Sequence, residues 1–273
     1  MGASGEPRVR DLPRLGRAVN RAFQTFLGKE AGETFKTWRL WVLPGILVFL
    51  GLSSPILTRL TPALLRATAN SQPGVVIKLP PPTAVDSYVQ FMGNLAQLVM
   101  IALIIAAAAT ISTEVKSGTA ALVLTKPMSR AGFVVSKAAS QLGLLVAATA
   151  LGAAVCVATT VVLFDDAAIG PFVEAVALWL VFAAMMLALT IMLSAALRGQ
   201  APAAGAGIGI WVALLALTGL PLIRDHSPAG LIAANDAALR HRDVALLWPV
   251  AASLVLGVVF VLGGIWFFRR REL

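Results

Sequence analysis

The chain has 273 residues, of which 58% are hydrophobic and 13% are charged, and its mean hydropathy is +0.85. Water-soluble domains carry about 25% charged residues, so this composition excludes a soluble catalytic or nucleotide-binding domain within the chain. The net charge of +9 is spread over alternate connections of the chain. This distribution favours a membrane surface, and not nucleic acid, as the partner of the basic residues.

Six apolar runs have the length that a helix needs to cross about 30 Å of hydrocarbon, and none of them contains Asp, Glu, Lys or Arg. Continuous apolar runs predict helices and not barrel strands, because a backbone in lipid must satisfy its own hydrogen bonds. Residues 40–273 are therefore predicted to form an all-α integral membrane protein with six transmembrane helices. The expected spans are residues 40–58, 88–112, 138–164, 175–197, 201–223 and 244–268.

Two segments precede the first predicted span. Residues 1–13 are polar and contain Gly and Pro, which predicts disorder. Residues 14–39 alternate aromatic and basic side chains and include Lys29 and Glu30. This alternation predicts an amphipathic helix that lies at the cytoplasmic interface before span one.

The distribution of Lys and Arg predicts the orientation in the membrane. Sixteen of the 22 basic residues lie on the side that holds the two termini and the loop of residues 113–137. The positive-inside rule then places both termini in the cytoplasm.

Gln90, Asn94 and Gln97 introduce polar groups into the second span, at positions i, i+4 and i+7 of one helix face. They predict either hydrogen bonds to another helix or the lining of a substrate path, and both alternatives stay open. Gly205 and Gly209 have the small-xxx-small spacing in the fifth span. That spacing predicts a close helix contact, within the subunit or across a dimer.

The connection after the fifth span contains Ser227 followed by Pro228, a pair that predicts the start of a short re-entrant or surface helix. The two histidines, His226 and His241, flank this connection without the spacing of metal ligands. No metal site is expected.

The sequence lacks a Walker motif, a Ser/His/Asp set and paired carboxylates within the spans. No catalytic residue is therefore expected. Proton- and sodium-coupled transporters usually need ionisable groups at depth. A transporter with these spans would take its energy from a partner protein, through a cytoplasmic loop.

The loop of residues 113–137 is the cytoplasmic connection long enough for this role. A short helix can start at Ser117 or Gly118, with Leu122 and Leu124 as apolar positions. Pro127 then breaks this helix, and Ser129 can cap the helix that runs into span three. From the residues alone, a lever and an ordinary interfacial turn are equally good interpretations.

This loop resembles the cytoplasmic loop of type-2 ABC transporter permeases, the membrane subunits of type V ABC exporters. The resemblance extends over about residues 25–273 and includes Lys29-Glu30 before span one and Ser227-Pro228 before the last span. The modest connection before span six departs from permeases that have a large external domain. The loop residues that match in order are Glu114, Gly118, Thr119, Pro127, Ser129, Arg130 and Lys137.

The resemblance implies the type V exporter permease fold and a transport subunit that is not an enzyme. It implies two copies of a separate cytoplasmic ABC ATPase, which would bind ATP and Mg²⁺, and a second identical or homologous permease, with no cofactor in this chain. The bacterial cytoplasmic (inner) membrane is the expected location. The residues expected to couple the chain to the ATPase are Glu114, Gly118, Thr119, Leu122, Leu124, Pro127, Ser129 and Arg130.

Spans without charged residues favour export of a hydrophobic or amphipathic compound. Two alternatives stay open at this point. The chain could be an ABC permease with a specialised maturation or lipid-handling role, or a membrane scaffold or sensor subunit that transports nothing.

The predicted orientation can be tested by cysteine labelling of intact cells, in a chain whose Cys156 is replaced by Ala. A membrane-impermeant maleimide should label a cysteine placed at Pro81 or Asn235 and miss one placed at Ser117. Labelling at position 117 would overturn the orientation.

Overall fold

The structure, a computed structural model, describes residues 38–69, 81–116, 129–164, 167–240, 242 and 246–270. The amphipathic helix predicted for residues 14–39 lies outside this range except for its last two residues, and Lys29 and Glu30 lie outside it entirely. The middle of the 113–137 loop, residues 117–128, also lies outside the described residues.

Six helices are long and apolar enough to cross a membrane, and no strand occurs among the described residues. The predicted all-α fold class with six spans is therefore confirmed. Span two is interrupted by one π-helical turn. The spans are, in order, Trp38–Ala69, Ala84–Lys116, Arg130–Leu163, Ile169–Ala196, Gln200–Leu217 and Leu247–Arg270.

The observed boundaries differ from the predicted ones at several ends. The helix of span one continues to Ala69 although the prediction ended it at residue 58. Span five ends at Leu217, and not at residue 223, because Pro221 cannot donate a backbone hydrogen bond and would clash with the preceding helical turn. Pro221 instead begins a separate short helix, Pro221–His226.

Span four lies at the centre of the bundle and packs along span six and along spans two and five. Spans two and four run parallel. Tyr88 stacks on Phe172 near one end of the pair, with ring centroids 4.2 Å apart, and Ser194 contacts Ser112 near the other end. We call the end with Lys116, Arg130 and Arg270 the loop end.

Spans one and three cross at two glycines. A Cβ atom added to Gly51 would lie 2.5 Å from the carbonyl oxygen of Gly152, and one added to Gly152 would lie 2.8 Å from the Cβ of Leu47. Real Cβ atoms do not approach other atoms this closely. The two backbones are therefore in direct contact, as at other small-residue contacts between membrane helices.

The connection between spans five and six lies at the end opposite the loop end and contains the helix Ala229–Leu239. The short helix predicted after the Ser-Pro pair is confirmed, although Pro228 itself is the N-cap and Ser227 Oγ accepts a hydrogen bond of 3.3 Å from the Ala229 amide. The helix packs against span four and buries Leu231 completely. Asn235 is 7% exposed, so position 235 is a poor labelling site and Pro81, which is exposed, is the better reporter.

The glycine crossing predicts that a single methyl group destabilises the chain. Gly51→Ala should lower the free energy of unfolding by about 1–3 kcal/mol, because the added Cβ overlaps the backbone of span three. Gly45→Ala is the matched control in the same helix, since a Cβ there meets nothing within 4 Å. Equilibrium unfolding in mixed micelles measures both. Equal effects of the two substitutions would contradict the close crossing.

Candidate functional site

An ion pair joins the two helices that flank the 117–128 segment. Lys137 Nζ lies 2.6 Å from Glu114 Oε1, and the two side chains are 12% and 28% exposed respectively. Glu114 is in the last turn of span two and Lys137 is in the second turn of span three. The pair therefore fixes the distance between the helices at the point where the loop leaves the bundle.

Two stacked aromatic rings extend this contact to span six. The Lys137 ammonium lies 5.7 Å from the ring centroid of Phe133, within the range of a cation–π interaction. Phe133 stacks on Phe268 with centroids 5.2 Å apart, and both side chains are fully buried. The end of span six is therefore packed against the start of span three.

The start of span three is also tied down by polar contacts. Ser129 Oγ accepts a 3.0 Å hydrogen bond from the Gly132 amide, so the predicted helix cap is confirmed. Arg130 Nη1 donates to the carbonyl oxygens of Arg269, at 2.9 Å, and Phe268, at 3.4 Å. Arg130 thus donates to two carbonyl groups in the last described turn of span six, and a basic side chain near the C-terminal end of a helix is favourable.

The helix dipoles explain why these charges reach across to neighbouring helices. The negative charge of Glu114 lies at the C-terminal end of span two, where the partial negative charge of the helix dipole destabilises it. Arg130, at the N-terminal end of span three, is disfavoured by the partial positive charge of its own helix. Lys137 compensates the first charge and the carbonyl end of span six compensates the second. The loop end is held together by contacts between spans.

The structure brings together part of the predicted coupling set. Glu114, Ser129 and Arg130 all lie at the loop end. Their contacts differ, because Arg130 contacts span six and Glu114 contacts Lys137 of span three. The remaining positions lie outside the described residues. They are Gly118, Thr119, Leu122, Leu124 and Pro127.

The polar residues of span two do not share one environment. Asn94 Nδ2 donates a 3.1 Å hydrogen bond to Ser54 Oγ on span one, which corresponds to the helix-contact alternative. Gln90 and Gln97 are exposed. Asn94 directly precedes the π-helical turn Leu95–Val99 and Gln97 lies within it, so the i→i+5 bonds of this turn change the register that the regular spacing assumed.

The two glycines of the predicted close contact are exposed on span five. A Cβ atom at Gly205 or Gly209 would meet nothing within 4 Å. The intramolecular alternative is therefore wrong for the described part of the chain, and a dimer contact stays a prediction. Gly207 makes the close contact instead, since a Cβ there would lie 2.8 Å from Ile104 on span two.

Sequence reasoning did not identify the aromatic pair or the role of Ser194, whose Oγ accepts a 3.0 Å hydrogen bond from the Ser112 amide on span two. Phe133 lies three residues from Arg130 and Phe268 directly precedes Arg269, and an aromatic residue near a basic helix end is a weak signal for an interfacial stack. A serine within an apolar span carries no such signal. In the part of the chain that the structure describes, no three His, Cys, Asp or Glu side chains form a group that could hold a metal ion.

Residues 24–228 match the family described as ABC-2 family transporter protein. The chain belongs to this family. It is also similar to the uncharacterized transmembrane protein YxlG of Bacillus subtilis (strain 168), with 24% identity over 255 residues that cover 92% of this chain and 99% of the relative.

Membership in the ABC-2 family indicates the general function of the six spans. The protein is a multi-pass membrane subunit of an ABC transporter and is not the ATPase itself. A subunit of this kind works with an ABC ATPase subunit. The contacts at the loop end are therefore candidates for the link between the two.

The ion pair predicts a specific pattern in a charge-swap experiment. Glu114→Lys and Lys137→Glu should each lower the free energy of unfolding by about 1–3 kcal/mol, less than for a fully buried pair because Glu114 is 28% exposed. The double swap should recover at least half of the combined loss. Equilibrium unfolding in mixed micelles provides the measurement.

Asp236→Asn is the control for that experiment. Asp236 pairs with Arg240 at 2.8 Å, but these side chains are 51% and 43% exposed, so water screens the pair and the loss of stability should be small. Purely additive effects of the two swaps at positions 114 and 137 would contradict the pairing.

Proposed function

We propose that this chain is the permease subunit of an ABC exporter in the bacterial cytoplasmic membrane, with both termini in the cytoplasm. In this proposal it pairs with a second identical or homologous permease and with two copies of an ABC ATPase that bind ATP and Mg²⁺. The cargo is a hydrophobic or amphipathic compound. The observation that carries the proposal is that Glu114 and Arg130, on either side of the 117–128 segment, are each fastened to another span.

The fastening makes the segment a suitable lever. A displacement of its first end acts on Glu114 and, through the 2.6 Å ion pair, on span three. A displacement of its second end acts on Arg130 and, through the carbonyl groups of residues 268 and 269, on span six. A movement imposed by an ATPase would therefore reach spans two, three and six together.

Within the segment, Leu122 and Leu124 are the proposed docking residues. They are the apolar positions of the short helix that the sequence predicts before Pro127. An apolar face of this kind fits a groove on a soluble partner, in which leucine side chains leave water.

The exposed residues of spans two and five support a second permease copy. Gln90 and Gln97 are exposed on span two, and Gly205 and Gly209 are exposed on span five. Glutamine amides facing hydrocarbon are unfavourable, whereas a polar path or a partner helix satisfies them. A substrate route between two permease copies, lined by Gln90 and Gln97, accounts for their exposure, and Gly205 and Gly209 fit a dimer contact.

The proposal predicts distinct defects for the docking residues and for the ion pair. Replacing both Leu122 and Leu124 by Asp should detach the ATPase, because an unpaired carboxylate in an apolar groove costs several kcal/mol. Glu114→Ala should leave the complex assembled, but transport per ATP hydrolysed should fall. Co-purification of the ABC ATPase and ATP-driven accumulation of a lipophilic fluorescent dye in inverted vesicles measure the two defects.

Leu222→Asp is the matched control, because Leu222 is 79% exposed on the short helix at the opposite end of the bundle. This variant should retain the ATPase. If the double variant at positions 122 and 124 also binds its ATPase and accumulates dye normally, the loop is not the coupling element. A chain that never co-purifies with an ABC ATPase would instead support the scaffold or sensor alternative.

A further inference from the structure

A serine of span four places its hydroxyl group within the backbone hydrogen bonding of span two. Ser194 Oγ accepts hydrogen bonds from the amides of Ile111, at 3.2 Å, and Ser112, at 3.0 Å. The same hydroxyl donates to the carbonyl oxygen of Ala108 at 2.7 Å. The side chain is fully buried. One hydroxyl of span four thus contacts three backbone groups of span two.

This hydroxyl lies beside the backbone hydrogen bonds of one turn of span two. In a regular α-helix the amide of Ser112 pairs with the carbonyl of Ala108. Ser194 donates to that carbonyl and accepts from that amide, so it bridges the two groups. A side chain inserted into the ladder is an established cause of helix bending.

A second hydroxyl weakens the ladder at the same point. Ser112 Oγ donates to the Ala108 carbonyl oxygen at 2.7 Å, a bond back along its own helix. Such bonds also bend helices. Two hydroxyl groups therefore converge on one carbonyl, and span two bends more readily here than at a turn with regular backbone bonds alone.

The bridge is close to the coupling ion pair. Ala108 precedes Glu114 by six residues, about 9 Å along a helix. The residues after the bridge, 112–116, form a short arm that carries Glu114. Span four, which supplies Ser194, is the central helix of the bundle. A tilt of the arm would therefore change the hydrogen bonds between Ser194 and span two.

We propose that Ser194 is a positioning residue that transmits the movement of the coupling segment from span two to span four. This inference rests on the proposed function. In the arrangement seen here, the hydroxyl bridges Ala108 and Ser112. When the arm tilts, the Ser112 amide pairs directly with the Ala108 carbonyl, and Ser194 releases span two.

The released state has a partner for the hydroxyl. A helical serine commonly donates to the carbonyl four residues earlier, which for Ser194 is the carbonyl of Thr190. The hydroxyl therefore has an acceptor in both arrangements. Two packed arrangements with similar free energies form an element whose balance an attached ATPase can shift.

Ser112 provides a matched control within the same site. It donates to the same carbonyl oxygen at the same distance of 2.7 Å and is 2% exposed, but its bond stays within span two. Loss of the Ser112 hydroxyl removes a buried bond without removing the link between spans. A purely structural role for both hydroxyls predicts equal effects of Ser112→Ala and Ser194→Ala.

The first test measures amide hydrogen exchange of residues 108–116 in the purified full chain in nanodiscs. Ser194→Ala should speed exchange of the amides at positions 111 and 112 by about fivefold or more, since each loses its hydroxyl acceptor. Ser112→Ala should leave these two amides within about twofold of the unsubstituted chain. Equal acceleration in both variants would overturn the inference.

The second test uses the permease with its co-purified ABC ATPase in proteoliposomes, with the lipophilic dye as the transported probe. Ser194→Ala should hydrolyse ATP but accumulate several-fold less dye per ATP than Ser112→Ala. Ser194→Thr, which keeps the hydroxyl, should recover most of the dye accumulation per ATP. Ser194→Cys takes the place of the alanine variant if that variant fails to fold. An unchanged ratio in Ser194→Ala or, in its place, Ser194→Cys would overturn the inference.

The two tests separate this inference from the proposed function. If the unsubstituted complex transports no dye and binds no ABC ATPase, the proposed function fails. If it transports dye but the Ser194 and Ser112 variants behave alike, the inference about Ser194 fails alone.

Discussion

A carboxylate at the C-terminal end of a membrane helix needs a cation beside it, and the 2.6 Å contact between Glu114 and Lys137 meets that need. The helix dipole and partial burial both disfavour an isolated Glu114. Because the cation comes from span three, spans two and three cannot separate at the loop end without breaking this partly buried ion pair. Phe133 and Phe268 then pack beside the pair and fix span six against it. The geometry of the loop end follows from this one electrostatic requirement.

Away from the loop end, small residues and hydroxyl groups replace charge as the means of association. Hydrocarbon supplies no hydrophobic force between helices, so close backbone approach and hydrogen bonds have to hold them together. The contact of Gly51 with Gly152 and that of Gly207 with Ile104 are of the first kind. The bonds of Asn94 and Ser194 are of the second kind. All of these contacts lie between helices, and none involves a loop residue.

The sequence predicted the features that depend on composition and local chemistry, and it failed where packing decides. Six spans and the Ser129 cap follow from apolar length and capping preference, and both are confirmed. The end of span five was misplaced because hydropathy does not register the effect of Pro221 on the backbone. Gly205 and Gly209 satisfied a spacing rule, yet Gly207 between them makes the contact, since the rotation of a helix about its axis is set by its neighbours. Ser194 could not be assigned a role without knowing which backbone it faces.

The distribution of tight and irregular contacts indicates where the bundle can move. Spans one and three are locked by direct backbone contact, and Gly263 on span six lies so close to Met192 on span four that a Cβ would approach its sulfur to 2.8 Å. Span two makes one such contact as well, between Ile104 and Gly207 of span five, but it also contains a π-helical turn and, two turns further on, the hydroxyl bridge from Ser194. Such irregularities lower the cost of bending a helix. The two irregular turns of span two are therefore places where bending can take up a displacement that enters at Glu114. If the proposed coupling is right, span two bends while those pairs move as units, and the exposed Gln97 changes its position relative to the rest of the bundle.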